Sequence, residues 1–395
     1  IKFSTHHLSH AASAFYPSPF KDAVILTLDG VGEWATSTIG IGENNNLKIL
    51  EEINFPHSLG LLYSAFTYYL GFKVNSGEYK VMGLAPYGKP IFKDLIKKEL
   101  IDIKSDGSYR INLKFFDYAT GLRMVNKKFE NLFGKMRRNP DTEMLETFHM
   151  DLASSIQNVL EEVILLICRD LKKRFKKNNL CLAGGVALNC VANGKILKEK
   201  IFDNIWVQPA AGDAGGALGA ALAYFYKELS GSRGNLIDKM KGAYLGPSFQ
   251  NDNIKKIFDK LGAVYQTYDD KTLTTKVAKF LTEGKAIGWF QGRMEFGPRA
   301  LGARSIIADP RSEKMQKNLN LKVKFRESFR PFAPSILEEE ASNYFDLNST
   351  SPYMMMVSNI KKELQIKMTD KQKQIFGIEK LNFKRSSIPA VTHVD

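Results

Sequence analysis

The strongest constraint on the fold is a pattern that occurs twice in succession: an apolar strand, a glycine-rich loop and a helix. The first copy covers residues 180–199 and the second covers residues 204–227. Strands that alternate with helices build an α/β layer fold, in which ligands bind at the carboxyl ends of the strands. We therefore predict an α/β fold class with a ligand site at that edge.

The remaining segments predict how this core is extended. Residues 8–15 have helical spacing, and three apolar stretches between residues 23 and 53 are separated by turns rich in glycine and asparagine, which favour hairpins. Further along, the chain predicts helices at 59–70 and 146–177, a glycine-rich loop at 77–88, an irregular peripheral insertion at 91–145, helices at 253–260 and 272–282, and a strand at 286–290.

Length and composition indicate a globular protein of two or three domains. The chain has 395 residues, of which 44% are hydrophobic and 25% charged, so disordered and collagen-like chains are excluded. No apolar run approaches the ~20 residues that span a bilayer, and the three cysteines are too few for a disulfide framework. We expect no membrane contact, buried thiols and a cytoplasmic location. The polar stretch 229–238 is the best candidate for a linker.

The basic residues are unevenly distributed. Lysine and arginine outnumber the acids by 56 to 42, a net charge of +14, and much of the excess is lysine on solvated faces. Arginine is different, because six of the 14 arginines lie between residues 293 and 330. Its planar guanidinium matches phosphate and carboxylate, so this clustering predicts an anion site.

Two histidines and two aspartates are candidate metal ligands. His6 and His10 are four residues apart and share one face of a helix, so they can bind the same ion. Asp29 follows an apolar strand, and Asp213 precedes a helix. Each has a simpler interpretation: an exposed or capping histidine pair, a hairpin turn for Asp29 and an N-cap for Asp213.

The glycine-rich junctions predict a nucleotide clamp. Gly184 and Gly185, and the segment 212–219, stand where strands enter helices, so a phosphate can approach the backbone there. Tight helix packing is the alternative explanation. Four arginines and several glycines also share the segment 292–311, which we call the arginine loop, and residues 324–330, the cationic segment, add further cations. Single-stranded RNA is one candidate ligand. A small phosphorylated metabolite fits this concentrated pattern better.

Together these motifs resemble those of the O-carbamoyltransferases of the nodulation-factor and antibiotic-tailoring family. The resemblance covers nearly the whole chain apart from 91–145, and its motifs lie at residues 6–13, 28–33, 77–88, 184–189 and 292–311. It implies an actin/hexokinase-like (ASKHA) domain over residues 1–235, similar to the one that makes threonylcarbamoyl-adenosine in tRNA. An α+β domain of the YrdC/Sua5 type would follow over residues 236–395.

The resemblance also implies an activity and a set of site residues. Carbamoyl phosphate and ATP would form a carbamoyl-adenylate, whose carbamoyl group is moved to a hydroxyl of a small molecule, often a sugar. The residues that match the family's motifs are His6, His10, Asp29 and Asp213 for a divalent metal, expected to be Fe²⁺; His10, Asp29 and Arg299 for catalysis; Gly30, Gly184, Gly185, Asn189 and Gly216 for the adenylate; and Arg293, Arg299, Arg304, Lys324, Arg326 and Arg330 for carbamoyl phosphate and ATP.

Two departures from the family pattern and three alternatives accompany this interpretation. The family's first strand, with a histidine-aspartate-serine motif, is not found before Ile1, and the chain stops within the family's closing segment at 392–395.

The expected partner is a small hydroxyl acceptor, not a nucleic acid, and a homodimer stays open. A tRNA-modifying enzyme of the threonylcarbamoyl class, a sugar kinase and a non-catalytic nucleotide-binding protein are the alternatives. The acceptor and the metal's identity cannot be read from these residues.

Overall fold

A five-stranded mixed sheet lies at the centre of the computed structural model, which describes residues 1–347 and 349–393. The sheet has the order β3-β2-β1-β6-β7, and β4-β5 and β8-β9 are separate two-stranded sheets. The strands are β1 (Asp22–Leu28), β2 (Ala35–Glu43), β3 (Asn46–Asn54), β4 (Ile101–Ile103), β5 (Tyr109–Ile111), β6 (Asn179–Ala183), β7 (Asn204–Val207), β8 (Ile287–Phe290) and β9 (Arg304–Ile307).

Strand β1 is the middle of the central sheet and is buried along almost its whole length. It pairs antiparallel with β2, where Leu26 lies opposite Ile39, and parallel with β6, where Leu26 lies opposite Leu182. Strands β6 and β7 are also parallel. A strand that is covered on both faces carries a continuous apolar sequence, which explains the run at residues 23–28. The parallel strands β1, β6 and β7 therefore bring their carboxyl ends to one edge.

Helices cover the sheet, and most of the core belongs to residues before 230. Helix α6 is the longest, with 29 residues, and its last residues pass into β6 through a left-handed Lys176. The helices are α1 (His6–Phe15), α2 (Leu59–Tyr69), α3 (Glu78–Leu84), α4 (Lys93–Glu99), α5 (Lys127–Phe133), α6 (Thr147–Phe175), α7 (Cys190–Lys198), α8 (Asp213–Lys227), α9 (Asn251–Lys260), α10 (Asp270–Thr282), α11 (Met315–Asn318), α12 (Ala341–Tyr344) and α13 (Asp370–Lys373).

The α/β fold class is as predicted, and so is the order of elements in residues 6–70 and 147–227. The opening helix, the three-stranded meander and both strand-loop-helix units are present. Cys168 and Cys181 are buried, and burial raises the pKa of each thiol to about 12. In the part of the chain that the structure describes, no helix combines the length and the apolar character needed to cross a membrane.

Two predictions for residues 77–145 are wrong. The segment predicted as a glycine-rich loop is helix α3 followed by a 3-10 turn at Ala85–Tyr87. The segment predicted as a peripheral insertion contains α4, β4, β5 and α5, and it contributes to the main core. Phe129 on α5 is fully buried, and its ring packs edge-on against Phe66 of α2. The lysines that made this segment look irregular lie on its outer face.

The segment predicted as a linker packs against the first part of the chain. Arg233 is only 4% exposed, and its guanidinium donates to the backbone carbonyls of Phe15, Ser18, Phe20 and Asn44. It also lies over the Phe15 ring. A buried guanidinium with four acceptors holds this segment in place. The domain boundary at 235/236 stays a prediction.

Beyond residue 236 the packing is sparse. Helices α9 and α10 have no buried residue among those described, and a second small core consists of Met315, Leu319 and Ala390. The hairpin of β8 and β9 carries the arginine loop. The cationic segment contacts the first part of the chain directly, as described below.

Candidate active site

Helix α1 presents two histidines at one point. His6 and His10 are separated by one helical turn, and their Nε2 atoms are 2.9 Å apart. Helix α1 packs closely on α8, because Gly219 has no side chain where a Cβ would overlap the backbone carbonyl of Ser9. This close packing brings the N-terminus of α8 to the same point.

Asp29 completes the inner side of this cluster. It directly follows β1, and its Oδ2 lies 2.7 Å from His6 Nε2 and 3.1 Å from His10 Nε2. Its Oδ1 accepts the backbone N–H of Gly185 at 3.0 Å. Burial raises the pKa of Asp29, but the hydrogen bonds from His10 and His6 outweigh it and hold the pKa well below the usual range. The same contact with Asp29 raises the pKa of His6.

Asp213 forms the outer side. Its Oδ1 lies 3.8 Å from His6 Nε2 and 3.7 Å from His10 Nε2, and its side chain is 83% exposed. Asp213 is the first residue of α8 and makes no capping hydrogen bond, since Gly212 occupies the N-cap position. One ligand atom from each of the four residues lies within 4.8 Å of the others. The structure therefore brings together the four predicted metal ligands, which we call the four-ligand cluster.

His7, which the sequence did not single out, anchors α1 behind the cluster. Its Nδ1 lies 2.6 Å from Thr27 Oγ1 on β1, and its Nε2 lies 2.9 Å from the backbone carbonyl of Ala35. A carbonyl can only accept, so Nε2 carries the hydrogen and Nδ1 accepts from Thr27. Burial lowers the pKa of His7 to about 4, which keeps the imidazole neutral. The signal in the sequence was the unexplained third histidine of His6-His7-x-x-His10.

The glycine loop (residues 184–189) lies next to the cluster. Gly184 has a φ of +92°, and a Cβ there would overlap the carbonyl oxygen of Leu28. Gly185 donates to Asp29, and Gly30 and Gly216 leave room around their Cα atoms. The Asn189 side chain caps α7 by accepting the backbone N–H of Ala192 at 3.0 Å. The predicted adenylate residues therefore share this end of the sheet.

A buried polar network supports the glycine loop from behind, and the sequence interpretation missed it. Asn189 Nδ2 donates to Gln157 Oε1 at 2.9 Å, and Gln157 Nε2 donates to Glu161 Oε1 at 2.8 Å. Tyr63 donates to the same Gln157 oxygen, and Lys195 pairs with Glu161. The signal was a Gln and a Glu four residues apart on the otherwise apolar face of α6.

The predicted arginines have different surroundings. Arg293 is exposed and donates to the carbonyl of Leu245, while Arg304 lies over the Phe290 ring and donates to the carbonyl of Gln291. Arg299 reaches the glycine loop, where it donates to the carbonyl of Leu188 at 3.0 Å. Arg299 therefore contacts the glycine loop that holds the predicted adenylate-binding residues, whereas Arg293 and Arg304 contact backbone carbonyls elsewhere.

The other three predicted cations form a group on the cationic segment. Arg326 Nε donates to Asn320 Oδ1 at 2.7 Å, and Arg330 lies over the Tyr79 ring of α3. Burial, together with the positive charges of Arg326 and Arg330, lowers the pKa of Lys324. A lowered lysine pKa beside two arginines indicates positive charge that lacks a full set of counter-ions.

Comparison with known proteins covers most of the chain. Residues 1–222 match the family model described as carbamoyltransferase N-terminus, and residues 278–395 match the one described as carbamoyltransferase C-terminus. An uncharacterized protein from Synechocystis sp. is 57% identical over 398 residues, which cover 100% of this chain and 65% of that protein. The nodulation protein NolNO from Sinorhizobium fredii is 38% identical over 399 residues, which cover 100% of this chain and 53% of that protein.

The chain spans between 53% and 65% of the length of these two relatives. Among solved structures, the crystal structure of T. kodakarensis HypF is 16% identical and covers 60% of this chain and 37% of that one, with a TM-score of 0.27. That TM-score is too low for a shared fold to be inferred. The family of this chain is assigned from the two family models and the two sequence relatives.

Proposed function

This chain belongs to the carbamoyltransferase family, and we propose that it transfers a carbamoyl group to a hydroxyl of a small molecule. The observation that carries this proposal is the four-ligand cluster beside the glycine loop, where Asp29 contacts both His10 and the backbone of Gly185. A metal-binding carboxylate and a loop suited to a phosphate thus meet at one point. The arrangement can hold an adenylate phosphate and an activated carbonyl together.

The donor set of the cluster fits a divalent transition metal. Two imidazole nitrogens and two carboxylate oxygens converge within 4.8 Å, and imidazole with carboxylate suits Fe²⁺ and its neighbours better than Mg²⁺ or Ca²⁺. His6, His10, Asp29 and Asp213 would hold the ion. When bound, it would supply Lewis-acid stabilisation of the charge on the adenylate phosphate and the transferring carbonyl. Fe²⁺ is the metal that we propose.

The chain's own residues would bind and orient the adenylate. Gly184 and Gly185 permit close approach of a phosphate to the backbone, and Arg299 places a guanidinium at the same loop. The strong depression of the Asp29 pKa keeps this carboxylate ionised, so it acts as a ligand rather than as a proton acceptor. His7 holds α1, and with it His6 and His10, against β1.

The proposed route has two half-reactions. In the first, carbamoyl phosphate is hydrolysed to carbamate and phosphate; a carbamate oxygen then attacks the α-phosphorus of ATP, and pyrophosphate leaves. In the second, the acceptor hydroxyl attacks the carbamoyl carbon and gives its proton to solvent, and the bond to the adenylate oxygen breaks to release AMP. Because carbamate and its adenylate react readily with water, we propose that the intermediate passes between the two half-sites inside the protein.

The domain layout follows from the same proposal. The sheet order β3-β2-β1-β6-β7, with β2 antiparallel to β1, supports an actin/hexokinase-like domain over residues 1–235. The β8-β9 hairpin and the two groups of cations support a YrdC-like domain over residues 236–395 that binds carbamoyl phosphate and ATP. The proposed partner is a small hydroxyl acceptor in the cytoplasm, with no nucleic acid, and a homodimer is compatible with this role.

The decisive experiment is exchange of labelled pyrophosphate into ATP, measured without any acceptor. We expect exchange that depends on carbamoyl phosphate, because adenylation is reversible. Release of ADP without exchange would contradict the proposal and indicate a kinase. A parallel reaction with an amine that traps free carbamoyl-adenylate tests internal passage, and trapping as fast as transfer to the acceptor would contradict it.

A further inference from the structure

Helix α3 contacts the cationic segment through residues that are about 250 positions away in the chain. Lys80 Nζ lies 2.6 Å from Glu327 Oε1, and the guanidinium of Arg330 lies 4.2 Å from the centre of the Tyr79 ring. A Cβ on Gly83 would be 3.5 Å from the ring of Pro331 and 3.9 Å from the ring of Phe329, so the backbone of α3 also lies close to this part of the chain. The contact is therefore an ion pair, a cation–π pair and direct backbone packing.

The cationic segment is also held from its opposite side. The side-chain amides of Gln316 and Asn320 donate to the backbone carbonyls of Ser328 and Arg330. Phe329, which lies between Ser328 and Arg330 in the chain, is only 1% exposed. Its ring packs edge-on against that of Tyr87, in the 3-10 turn that follows α3. Residues 327–330 are thus fixed between α3 and the region 316–320, whereas Lys324 and Phe325 at the start of the segment are exposed.

This fixed segment has more positive than negative charge. Lys80 and Arg330 pair with Glu327, whose Oε2 lies 3.6 Å from Arg330, and Lys324 and Arg326 add positive charge next to Arg330. Partial burial and the charge of Arg330 lower the pKa of both Arg326 and Lys324. Clustered cations in such surroundings are stabilised by a bound anion, and arginine forks match phosphate groups.

Helix α3 reaches the glycine loop as well. Met82 Sδ lies 3.8 Å from Sγ of Cys190, the first residue of α7 after that loop. At the start of α3, Glu78 accepts the hydroxyl of Ser64 on α2 at 2.8 Å. One short helix therefore touches both the glycine loop region and the cationic segment.

We propose that α3 is a positioning element for the phosphate site of the adenylation half-reaction: Lys80 and Tyr79 hold Glu327 and Arg330 and so keep Lys324, Arg326 and Arg330 grouped for the phosphates of MgATP. This inference rests on the proposed function. It assigns the motif at 77–88 to the ATP side of the reaction. Glu327 has a structural role in this arrangement even though its own charge opposes a phosphate.

The test uses Glu327→Gln, because a charge role and a positioning role for Glu327 predict opposite changes in the affinity for MgATP. If Glu327 is only a charge near the phosphates, removing it strengthens MgATP binding. If it positions the segment, removing it weakens binding, and we expect the Kd for MgATP from calorimetry to rise about 10- to 100-fold. Lys80→Met should weaken binding to a similar extent, and the double variant should be no weaker than either single one, because both changes break the same contact.

Matched controls separate positioning from general damage. Lys80→Arg keeps the ion pair and should bind MgATP like the unmodified protein, whereas Lys93→Met breaks the Lys93–Glu162 pair, at 2.9 Å, elsewhere and should have no effect on binding. Thermal midpoints establish that each variant is folded. If Glu327→Gln does not fold, the difference between Lys80→Met and Lys80→Arg decides the question.

The outcomes distinguish this inference from the proposed function. Unchanged or tighter MgATP binding in Glu327→Gln, with normal pyrophosphate exchange, overturns the role of α3 and leaves the carbamoyltransferase proposal intact. Failure of the unmodified protein to bind MgATP or to exchange pyrophosphate overturns both. Weaker binding in Glu327→Gln and Lys80→Met, with rescue in Lys80→Arg, supports the inference.

Discussion

At the scale of single residues, the four-ligand cluster shows how the spacing of side chains along the sequence decides which of them can share one ion. Two histidines four residues apart can share an ion, but their spacing alone also fits an exposed or capping pair, and Asp29 and Asp213 were predicted to join them through the family resemblance. Asp29 and Asp213 each had a simpler explanation, as a turn residue and as an N-cap. In the structure the carboxylate of Asp213 makes no cap and lies 3.8 and 3.7 Å from the two histidines, and its role as a metal ligand stays a prediction.

Replacing His10 should separate the two half-reactions. His10→Ala removes a fully buried side chain that we propose as a direct metal ligand, so we expect divalent-metal affinity and the proposed carbamoyl transfer to fall by more than about 100-fold, since losing a direct ligand costs more than losing a residue behind it. Pyrophosphate exchange should be largely retained. Metal content by mass spectrometry and the two assays check this, with His57→Ala as the control. Equal loss of both half-reactions would contradict the assignment.

His149 should make the protein sensitive to acid. Burial, followed by the charges of Lys135 and Arg138, lowers its pKa to about 4 from the ordinary 6.5. Between those two pH values the unfolded chain binds more protons, so the stability from His149 is complete above pH 6.5 and is lost as the pH falls towards 4. The loss should be roughly 3 kcal/mol.

His149→Gln tests this dependence, because glutamine at the third helical position can still accept the backbone N–H of Glu146. Urea unfolding at pH 7 and pH 4.5 should show a smaller decrease in the free energy of unfolding for the variant than for the unmodified protein. Equal decreases in both proteins would show that His149 does not titrate in this range.

At the scale of elements, glycine decides where α1 and α8 can meet. Gly219 lies where a Cβ would overlap the carbonyl of Ser9, whereas a Cβ on Gly216, one turn earlier on the same helix, would meet nothing within 4 Å. We expect Gly219→Ala to lower the free energy of unfolding by about 1–3 kcal/mol, because overpacking pushes the helices apart. Metal affinity should fall with it, since His6 and His10 move away from Asp213.

Gly216→Ala is the matched control for packing. Alanine favours a helix over glycine by up to about 1 kcal/mol, so this variant should be as stable as the unmodified protein or slightly more stable. Chemical denaturation of the two variants side by side checks both expectations. A stable Gly219→Ala variant with full metal affinity would show that the helices can relax without disturbing the cluster.

The elements also show which parts of the fold could be predicted from sequence. The strand-loop-helix units were predictable because each is a local pattern: a buried strand is apolar throughout, and a glycine must follow where the chain turns into a helix. Helix α3 was missed, because three glycines and a proline in the twelve residues 77–88 are also typical of a loop. The buried network of Gln157 and Asn189 was missed because it joins side chains 32 positions apart, and their proximity is set by tertiary packing.

At the scale of the whole molecule, the segment 229–238 was misjudged for a related reason. Its composition is polar, but Arg233 is buried and satisfies four backbone carbonyls near the end of α1. A charged side chain can fix a segment firmly when most of its donors have acceptors, and both terminal nitrogens of Arg233 are paired although its Nε has no partner among the described residues. A polar composition predicts that a segment lies outside the core. It does not show where backbone carbonyls elsewhere in the chain need a hydrogen-bond donor.

Replacing Arg233 should loosen this attachment. Arg233→Met keeps most of the apolar stem but leaves the four carbonyls without their donor, so we expect the free energy of unfolding to fall by roughly 3 kcal/mol. The free energy of unfolding of Arg233→Lys should lie between those of the unmodified protein and Arg233→Met, because one ammonium cannot reach all four carbonyls. Arg110→Met, at an exposed position on β5, is the control. Urea denaturation checks the order, and equal stability of all four proteins would contradict it.

The unequal exposure of the two aspartates gives the site a direction. Asp29 and His10 close one side of the cluster with strand and helix, while Asp213 stands open to solvent on the other. A molecule approaching from the Asp213 side meets that exposed carboxylate first. We therefore expect the proposed acceptor to enter across the start of α8, so that reshaping the surface there would change which hydroxyl the proposed reaction uses while leaving the four-ligand cluster intact.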